Sequence, residues 1–188
     1  MNVILASASP RRQELLKRIF DNFLVVPADI DETLPEDIGA EFGPIFLAAQ
    51  KAEAIADSYP SDLIIAADTV VFSDGNVLGK PKDRDEAMKM LHSLSGKTHK
   101  VITGCCVRKG NCFTSFSEES LVTFYDLSDE EINAYVSSGG SDGKAGAYGI
   151  QDQGAFFVEK IDGDYYNIVG LPIAKLYREI KILLEEEK

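Results

Sequence analysis

Apolar residues follow two patterns along this chain, and these patterns predict its strands and helices. Residues 3–6 and 62–72 are nearly continuous apolar runs, which are typical of strands buried on both faces of a sheet. The run at residues 62–72 is the more apolar of the two, so we expect it to form a central strand. In other segments the apolar positions recur every three or four residues, which predicts helices with one apolar face. These helices are predicted at residues 10–20, 44–57, 83–94 and 173–184.

Turn residues between the apolar segments predict two hairpins and one further helix. Ser73-Asp-Gly-Asn76 and Lys109-Gly-Asn111 are typical of hairpin turns. Ser128-Asp-Glu-Glu131 is a capping box and predicts a short helix through residue 136. Residues 139–149 are rich in glycine and are predicted to form a shaped loop. Further strands are predicted at residues 23–27, 97–108, 112–124 and 155–161.

The start of the first helix combines a cap with positive charge. Ser9 is a good N-cap and Pro10 suits the first helical position. The helix start therefore brings together Ser7, Arg11 and Arg12, and its backbone N–H groups together with two guanidinium groups favour an anion such as phosphate. The alternative is an ordinary capped helix with two solvated arginines, and these residues alone leave both interpretations open.

Asp68 interrupts the central apolar run. An ionised carboxylate inside such a strand is unfavourable unless it binds a metal or is well hydrogen-bonded. Because carboxylates are rarely buried without a partner, the functional interpretation is favoured here. Thr69 follows and points to the opposite face if the strand is regular.

Three other charged residues are candidates whose sequence context leaves two interpretations open. Glu32 lies in an acidic segment that is either a solvated loop or the source of a metal ligand. Lys51 lies among alanines of a predicted helix, where a lysine usually reaches towards the surface. Lys80 lies between Gly79 and Pro81, in either a constrained loop or a surface turn.

Composition limits the partners and the location. The 188 residues predict a single domain, residues 1–188, and a hydrophobic fraction of 45% is typical of soluble globular proteins. With 19 Lys and Arg against 31 Asp and Glu, the net charge of −12 argues against binding to a nucleic acid polymer or an anionic membrane. The sequence has neither a signal peptide pattern nor an apolar run of membrane-spanning length, so we predict a cytoplasmic protein.

The cysteines and histidines do not indicate a metal centre. Cys105, Cys106 and Cys112 lack metal-ligand spacing, and reduced buried thiols are favoured over a Cys106–Cys112 pair across the hairpin. His92 and His99 are isolated, so neither a zinc site nor a Ser-His-Asp triad can be assembled.

The unusual residues together indicate an enzyme that acts on a phosphate ester. A carboxylate in a strand, the arginines at a helix start and the glycine loops around Lys80 and Lys144 fit metal-assisted chemistry on phosphate. Carboxylates hold a divalent hard cation such as Mg²⁺. The chain has neither a P-loop motif nor a Gly-x-Gly-x-x-Gly motif.

Several motifs, collinear over nearly the whole chain, resemble those of the Maf family of nucleotide pyrophosphatases. They are Leu5-Ala-Ser-Ala-Ser-Pro-Arg-Arg12, Asp31-Glu32, Lys51-Ala52, Ala66-Ala-Asp-Thr-Val-Val71, Leu78-Gly-Lys-Pro81, Gly146-Ala-Tyr-Gly-Ile-Gln151 and Asn167-Ile-Val-Gly-Leu-Pro172. The resemblance implies an α/β fold with a mixed, elongated, twisted sheet flanked by helices, similar to inosine triphosphatases, with a cleft between two lobes. It also implies hydrolysis of a nucleoside triphosphate to the monophosphate and pyrophosphate, with Mg²⁺ or Mn²⁺.

The resemblance assigns roles to individual residues. Asp68 would accept the proton of the attacking water, and Glu32 and Asp68 would hold the metal. The residues that would contact the triphosphate are Ser7, Arg12, Lys51 and Lys80.

Within the family, the chain is similar to the subgroup that acts on dTTP and UTP. Arg11, Thr69 and Gln151 would then set the choice of base, and an amide such as that of Gln151 can pair with a pyrimidine edge. The acidic segment departs slightly, with Glu32-Thr-Leu-Pro where Glu-Ser-Pro is common. The alternatives are a pyrophosphatase for 7-methyl-GTP or another modified nucleotide, and a non-catalytic nucleotide-binding regulator of septum formation or cell division. The resemblance also implies a homodimer as a possible oligomeric state, because members of the family commonly form homodimers.

Overall fold

The apolar runs form a seven-stranded sheet, and the segments with helical periodicity form helices around it. The computed structural model describes residues 1–186. The strands are β1 (Val3–Leu5), β2 (Leu24–Val25), β3 (Leu63–Ser73), β4 (Asn76–Leu78), β5 (Thr98–Lys109), β6 (Cys112–Phe124) and β7 (Val158–Asp162). The helices are α1 (Pro10–Leu16), α2 (Gly43–Ala56), α3 (Arg84–Leu94), α4 (Asp129–Ser137), α5 (Tyr165–Val169) and α6 (Ile173–Glu186).

The strand order of the sheet is β2-β1-β3-β5-β6-β7, and β4 pairs with β3. The β1 strand is parallel to both of its neighbours, with Ile4 opposite Leu24 on β2 and Ile64 on β3. The pairs β3–β4 and β6–β7 are antiparallel, so the sheet is mixed. The predicted α/β class is therefore confirmed, as is the central position of the strand that contains Asp68.

The chain divides into two compact units. Unit 1 consists of Met1–Asp68, Thr103–Glu118 and Gly170–Lys188, and unit 2 consists of Thr69–Ile102 and Glu119–Val169. In unit 1, apolar residues of β1 and β3 pack against the alanines of α2. Unit 2 has its own core, in which residues of α3 and α4 pack with aromatic residues that include Phe124 and Tyr148. The single-domain assignment for residues 1–188 stays a prediction.

Three elements differ from their predictions. The first helix ends at Leu16. In the next turn the N–H groups of Arg18 and Ile19 bond to carbonyls three residues earlier, as in a 3₁₀ turn, and not four residues earlier. The predicted buried strand at residues 23–27 is the two-residue edge strand β2, whose Leu24 and Val25 are exposed. The last predicted strand begins only at Val158, since residues 153–157 form a 3₁₀ turn.

The three cysteines are free. Cys105 and Cys106 are buried as predicted, and burial raises the pKa of the Cys105 thiol to about 12, so this thiol is unreactive. Cys112 is exposed, so the prediction of a buried thiol is wrong for this residue. It lies in the first position of β6, after the hairpin turn, where the strand has not yet entered the core.

Gly104 lets α2 lie directly on β5 within unit 1. A Cβ atom at this position would overlap the backbone of Pro44 and Ile45, which cannot move without displacing the helix. We expect Gly104→Ala to lower the free energy of unfolding by about 3 kcal/mol, measured by urea denaturation. Gly79→Ala is the control, because nothing lies within 4 Å of that Cβ position. Equal stability of the two variants would contradict this account of the helix position.

His99 makes the stability of unit 2 depend on pH. Its ring is 2% exposed and lies edge-on to Phe124 and Tyr148, and burial lowers its pKa to about 4. Between pH 6.5 and 4 the unfolded chain therefore binds a proton that the folded chain does not. The resulting stability is complete above pH 6.5 and is lost as the pH falls towards 4, by about 3 kcal/mol in total.

Denaturation at several pH values between 7 and 4.5 measures this effect. The slope of unfolding free energy against pH should become smaller in His99→Gln than in the wild type. His92→Gln is the matched control, because the side chain of His92 is well exposed. Identical slopes in the two variants would show that His99 is not the responsible group.

Candidate functional site

A buried lysine joins two carboxylates in unit 1. The Nζ atom of Lys51 lies 2.7 Å from Oδ1 of Asp68 and 2.7 Å from Oε1 of Glu32. The exposed fractions of the side chains are 10% for Lys51, 15% for Asp68 and 54% for Glu32. Lys51 thus does not extend into solvent, and Asp68 has the partner that its position in the strand requires.

The local structure explains how this lysine comes to lie beside Asp68. The alanines that precede and follow Lys51 in α2 have small side chains, so the helix packs closely on β1 and β3. This packing buries the helix face from which Lys51 projects. Glu32 comes from the irregular segment between β2 and α2, where it remains largely exposed.

The start of α1 forms a second polar cluster in unit 1. Ser9 caps the helix as predicted, and its side chain accepts a hydrogen bond from the backbone N–H of Arg12. The guanidinium of Arg12 donates to Oγ of Ser7 from Nη1 (3.2 Å) and to the carbonyl of Gly170 from Nε (2.9 Å). The interpretation of two solvated arginines therefore fails for Arg12, whose guanidinium is held in place from two sides.

Electrostatics connects these two clusters. Removal from water lowers the pKa of Arg12, while the charges of Asp68 and Glu32 act in the opposite direction. An arginine remains protonated at neutral pH, so the guanidinium of Arg12 supplies a fixed positive charge close to both carboxylates. The structure thus groups five of the predicted site residues in unit 1. They are Ser7, Arg12, Glu32, Lys51 and Asp68.

Arg11 is half-buried on α1, next to this group. Three other predicted site residues belong to unit 2. Thr69 follows Asp68 directly in β3 and is half-buried. Lys80 is exposed in the segment after β4, where the carbonyl of Gly79 accepts a hydrogen bond from the N–H of Gly146 (3.1 Å). Gln151 is exposed in a turn that follows the glycine-rich loop.

The donor set fits a hard divalent cation. Glu32 and Asp68 supply carboxylate oxygens, and these two groups lie close together because each contacts the same ammonium, that of Lys51. Residues 1–186 contain no group of three or more potential ligands among His, Cys, Asp and Glu. Two carboxylates with the remaining positions taken by water and substrate phosphates are typical of Mg²⁺ sites.

Two residues that hold predicted site residues or their loops in place, one in each unit, were not themselves predicted to have a role. The carbonyl of Gly170 holds Arg12, although the only signal was the position of Gly170 in the motif Asn167-Ile-Val-Gly-Leu-Pro172. Tyr135 hydrogen-bonds to the loop before Gln151, and nothing in its helical context indicated this.

None of the helices described in residues 1–186 is long and apolar enough to cross a membrane.

Solved structures with a similar fold include HAM1 proteins. The HAM1 protein of Coxiella burnetii aligns with a TM-score of 0.57 over 97% of this chain and 99% of that chain, at 14% sequence identity. The Ham1 protein of Staphylococcus aureus aligns with a TM-score of 0.51 over 67% of this chain and 73% of that chain, at 16% identity. At such identities the likeness shows the fold alone, and it defines the protein as an α/β protein with a HAM1-like architecture.

The sequence defines the family more narrowly. The family model described as Maf-like protein matches residues 2–183, and the chain belongs to this family. A relative from Carboxydothermus hydrogenoformans, named dTTP/UTP pyrophosphatase, is 49% identical over 183 residues, which are 96% of this chain and 98% of that protein. A relative of the same name from Pyrococcus furiosus is 47% identical over 180 residues, which are 96% and 94% of the two chains. The predicted family is confirmed.

Proposed function

We propose that the protein is a nucleoside triphosphate pyrophosphatase that hydrolyses dTTP and UTP. The observation that carries the proposal is the Asp68 carboxylate. It is largely buried, it is bonded to Lys51, and the positively charged Arg12 lies nearby. Relatives named dTTP/UTP pyrophosphatase, 46–49% identical over almost the whole chain, support the substrate class.

Asp68 is the proposed proton acceptor. Water attacks the α-phosphorus and gives up its proton to Asp68, while the bond from this phosphorus to the oxygen shared with the β-phosphate breaks. The products are the nucleoside monophosphate and pyrophosphate. Lys51 takes up Oδ1 of Asp68, so the other carboxylate oxygen serves as the acceptor. The Lys51 ammonium also orients the Asp68 carboxylate.

The triphosphate is bound by groups that neutralise its charge. We assign this role to Ser7, Arg12, Lys51 and Lys80. Arg12 is held by two hydrogen bonds before substrate arrives, so it requires little reorganisation to bind a phosphate. Lys80 is exposed on its loop and supplies a further ammonium.

A divalent cation, Mg²⁺ or Mn²⁺, is the proposed cofactor, and Glu32 and Asp68 are the residues that would hold it. The chemistry that such a cation supplies is neutralisation of the phosphate charge in the transition state.

We assign the choice of base to Arg11, Thr69 and Gln151. The amide of Gln151 both donates and accepts hydrogen bonds, which suits the edge of thymine or uracil. We further propose that residues 1–188 act as one catalytic domain in the cytoplasm, with the nucleotide as partner and with neither a nucleic acid polymer nor a membrane. A homodimer is the oligomeric state to test first, by light scattering of the purified protein.

A nucleotide panel tests the proposal. The protein is incubated with dTTP, UTP, CTP, ATP, GTP and 7-methyl-GTP in Mg²⁺ or Mn²⁺, and pyrophosphate is measured. Release mainly from dTTP and UTP is expected. Release only from 7-methyl-GTP would indicate a pyrophosphatase for modified nucleotides. Tight binding of a nucleotide without turnover would indicate a non-catalytic regulator. Absence of release from every pyrimidine triphosphate would overturn the proposal.

A further inference from the structure

Residues 140–149, which follow α4, are held at both ends by the buried phenol of Tyr135. The hydroxyl of Tyr135 donates to the carbonyl of Gly140 (2.7 Å) and accepts a hydrogen bond from the N–H of Gly149 (3.0 Å). The ring of Tyr135 is buried and packs edge-on against Phe157, so the hydroxyl has a fixed position. Residues 140 and 149 are therefore held together by this side chain.

Lys144 makes a second connection in this loop, between Gly140 and Asp152. Its Nζ atom donates to the carbonyl of Gly140 (2.7 Å) and lies 3.3 Å from Oδ2 of Asp152. Its stem also packs on Gly149, where a Cβ atom would lie 2.7 Å from Cε of Lys144. The N–H of Asp152 in turn donates to the carbonyl of Gly149 (3.1 Å).

Residues 149–152, here called the Gln151 turn, are thus held on both sides of Gln151. Gly149 is fixed by Tyr135, and Asp152 is fixed by Lys144. Tyr148, immediately before the turn, is buried and hydrogen-bonds to His99 through its hydroxyl (2.8 Å). In contrast, the Gln151 side chain is exposed, and its amide has no hydrogen-bond partner within residues 1–186.

The backbone on both sides of Gln151 is thus fixed, while the Gln151 amide is available to a ligand. A group held in this way loses little conformational entropy on binding, so it is preorganised for recognition. The ion pair of Lys144 with the half-exposed Asp152 adds little to stability, since such pairs contribute at most about 1 kcal/mol. Its geometric effect is larger, because recognition through one amide weakens when the amide is displaced by about half an ångström or more.

We infer that Tyr135 and Lys144 are positioning residues that set the nucleobase selectivity of the enzyme by fixing the Gln151 turn. This inference rests on the proposed function and extends it to residues that do not touch the substrate. It requires that loss of either side chain changes discrimination between bases, and not the hydrolysis of the phosphoanhydride bond itself.

The test compares kcat/KM for UTP and CTP, which differ only in the base. Tyr135→Phe removes the hydroxyl and keeps the ring. We expect the UTP to CTP ratio to fall about tenfold, mainly through a higher KM for UTP, with kcat little changed. Lys144→Met should lower the same ratio and serves as a second variant should Tyr135→Phe fold poorly. Tyr125→Phe, at an exposed tyrosine of unit 2, is the matched control and should leave the ratio unchanged.

A purely structural role gives a different result. Partial unfolding reduces the amount of active enzyme equally for both substrates, so the ratio would stay constant. In a Gln151→Ala background, Tyr135→Phe should have no further effect on the ratio, because the group that it positions is absent. A wild-type ratio in both Tyr135→Phe and Lys144→Met would overturn the inference. Absence of turnover by the wild-type protein would instead overturn the proposed function.

Discussion

Replacement of Asp68 by Asn is expected to lower kcat for dTTP and UTP by about 10³-fold, because general-base catalysis typically contributes 10²–10⁴-fold. The amide has nearly the same shape as the carboxylate, so the strand should remain intact. It cannot accept the proton of the attacking water, and it leaves Lys51 with Glu32 as its remaining carboxylate partner among those described here. Pyrophosphate release under saturating substrate and metal measures the effect.

Asp74→Asn is the matched control for this variant. Asp74 lies one residue beyond the same strand, pairs with Lys97 and is exposed, so the chemical change is the same in a different setting. Its backbone φ of 50° is one that Asn adopts readily. We expect Asp74→Asn to hydrolyse dTTP at the wild-type rate. If Asp68→Asn also kept more than a tenth of the activity, Asp68 could not be the proton acceptor.

Replacement of Lys51 by Met should produce the second large effect. It removes the cation between Asp68 and Glu32 and leaves the two carboxylates with the more distant guanidinium of Arg12 as a neighbouring positive charge. Breaking a buried ion pair by removal of one partner costs about 3–5 kcal/mol, and the exposure of Glu32 reduces this to about 2 kcal/mol here. Activity should fall about 10²-fold or more, since one phosphate contact and the orientation of Asp68 are both lost.

Lys97→Met is the matched control for Lys51→Met. It shows how much stability and activity are lost when any ion-paired lysine is replaced by Met. Lys97 pairs with Asp74 at 2.8 Å, close to the distance between Lys51 and Asp68, but both partners are largely exposed. Its removal should change stability by less than about 1 kcal/mol and leave activity intact. Thermal unfolding and pyrophosphate release are measured for both variants. Similar losses of stability and activity in Lys51→Met and Lys97→Met would contradict the importance of the buried Lys51–Asp68 ion pair.

The sequence allowed good predictions where the physical signal is local. The position of Asp68 was informative because a carboxylate in a continuous apolar run needs a partner, and the structure supplies Lys51. Caps and turns also act over a few residues, which explains the correct prediction of the Ser9 cap and of the capping box at Ser128. The two hairpins are confirmed for the same reason.

Long-range contacts could not be predicted in this way. Nothing near Lys51 indicates that its ammonium reaches Asp68, 17 residues away, or that Tyr135 reaches Gly149. The short strand β2 has the same apolar composition as a buried strand, and only its place at the sheet edge exposes Leu24 and Val25. The family resemblance predicts which residues form the site, but the contacts that hold them depend on tertiary packing.

The hydrogen bond from Arg12 to Gly170 spans 158 residues and has a consequence for synthesis on the ribosome. Unit 1 includes the segment from Gly170 onwards, while all of unit 2 precedes Gly170 in the sequence. A nascent chain that has emerged only through residue 169 therefore lacks both the carbonyl that orients Arg12 and the helix α6. The positioning of Arg12 is therefore completed only after the whole of unit 2 has been synthesised, so the polar cluster at the start of α1 reaches its final form later than any segment of unit 2.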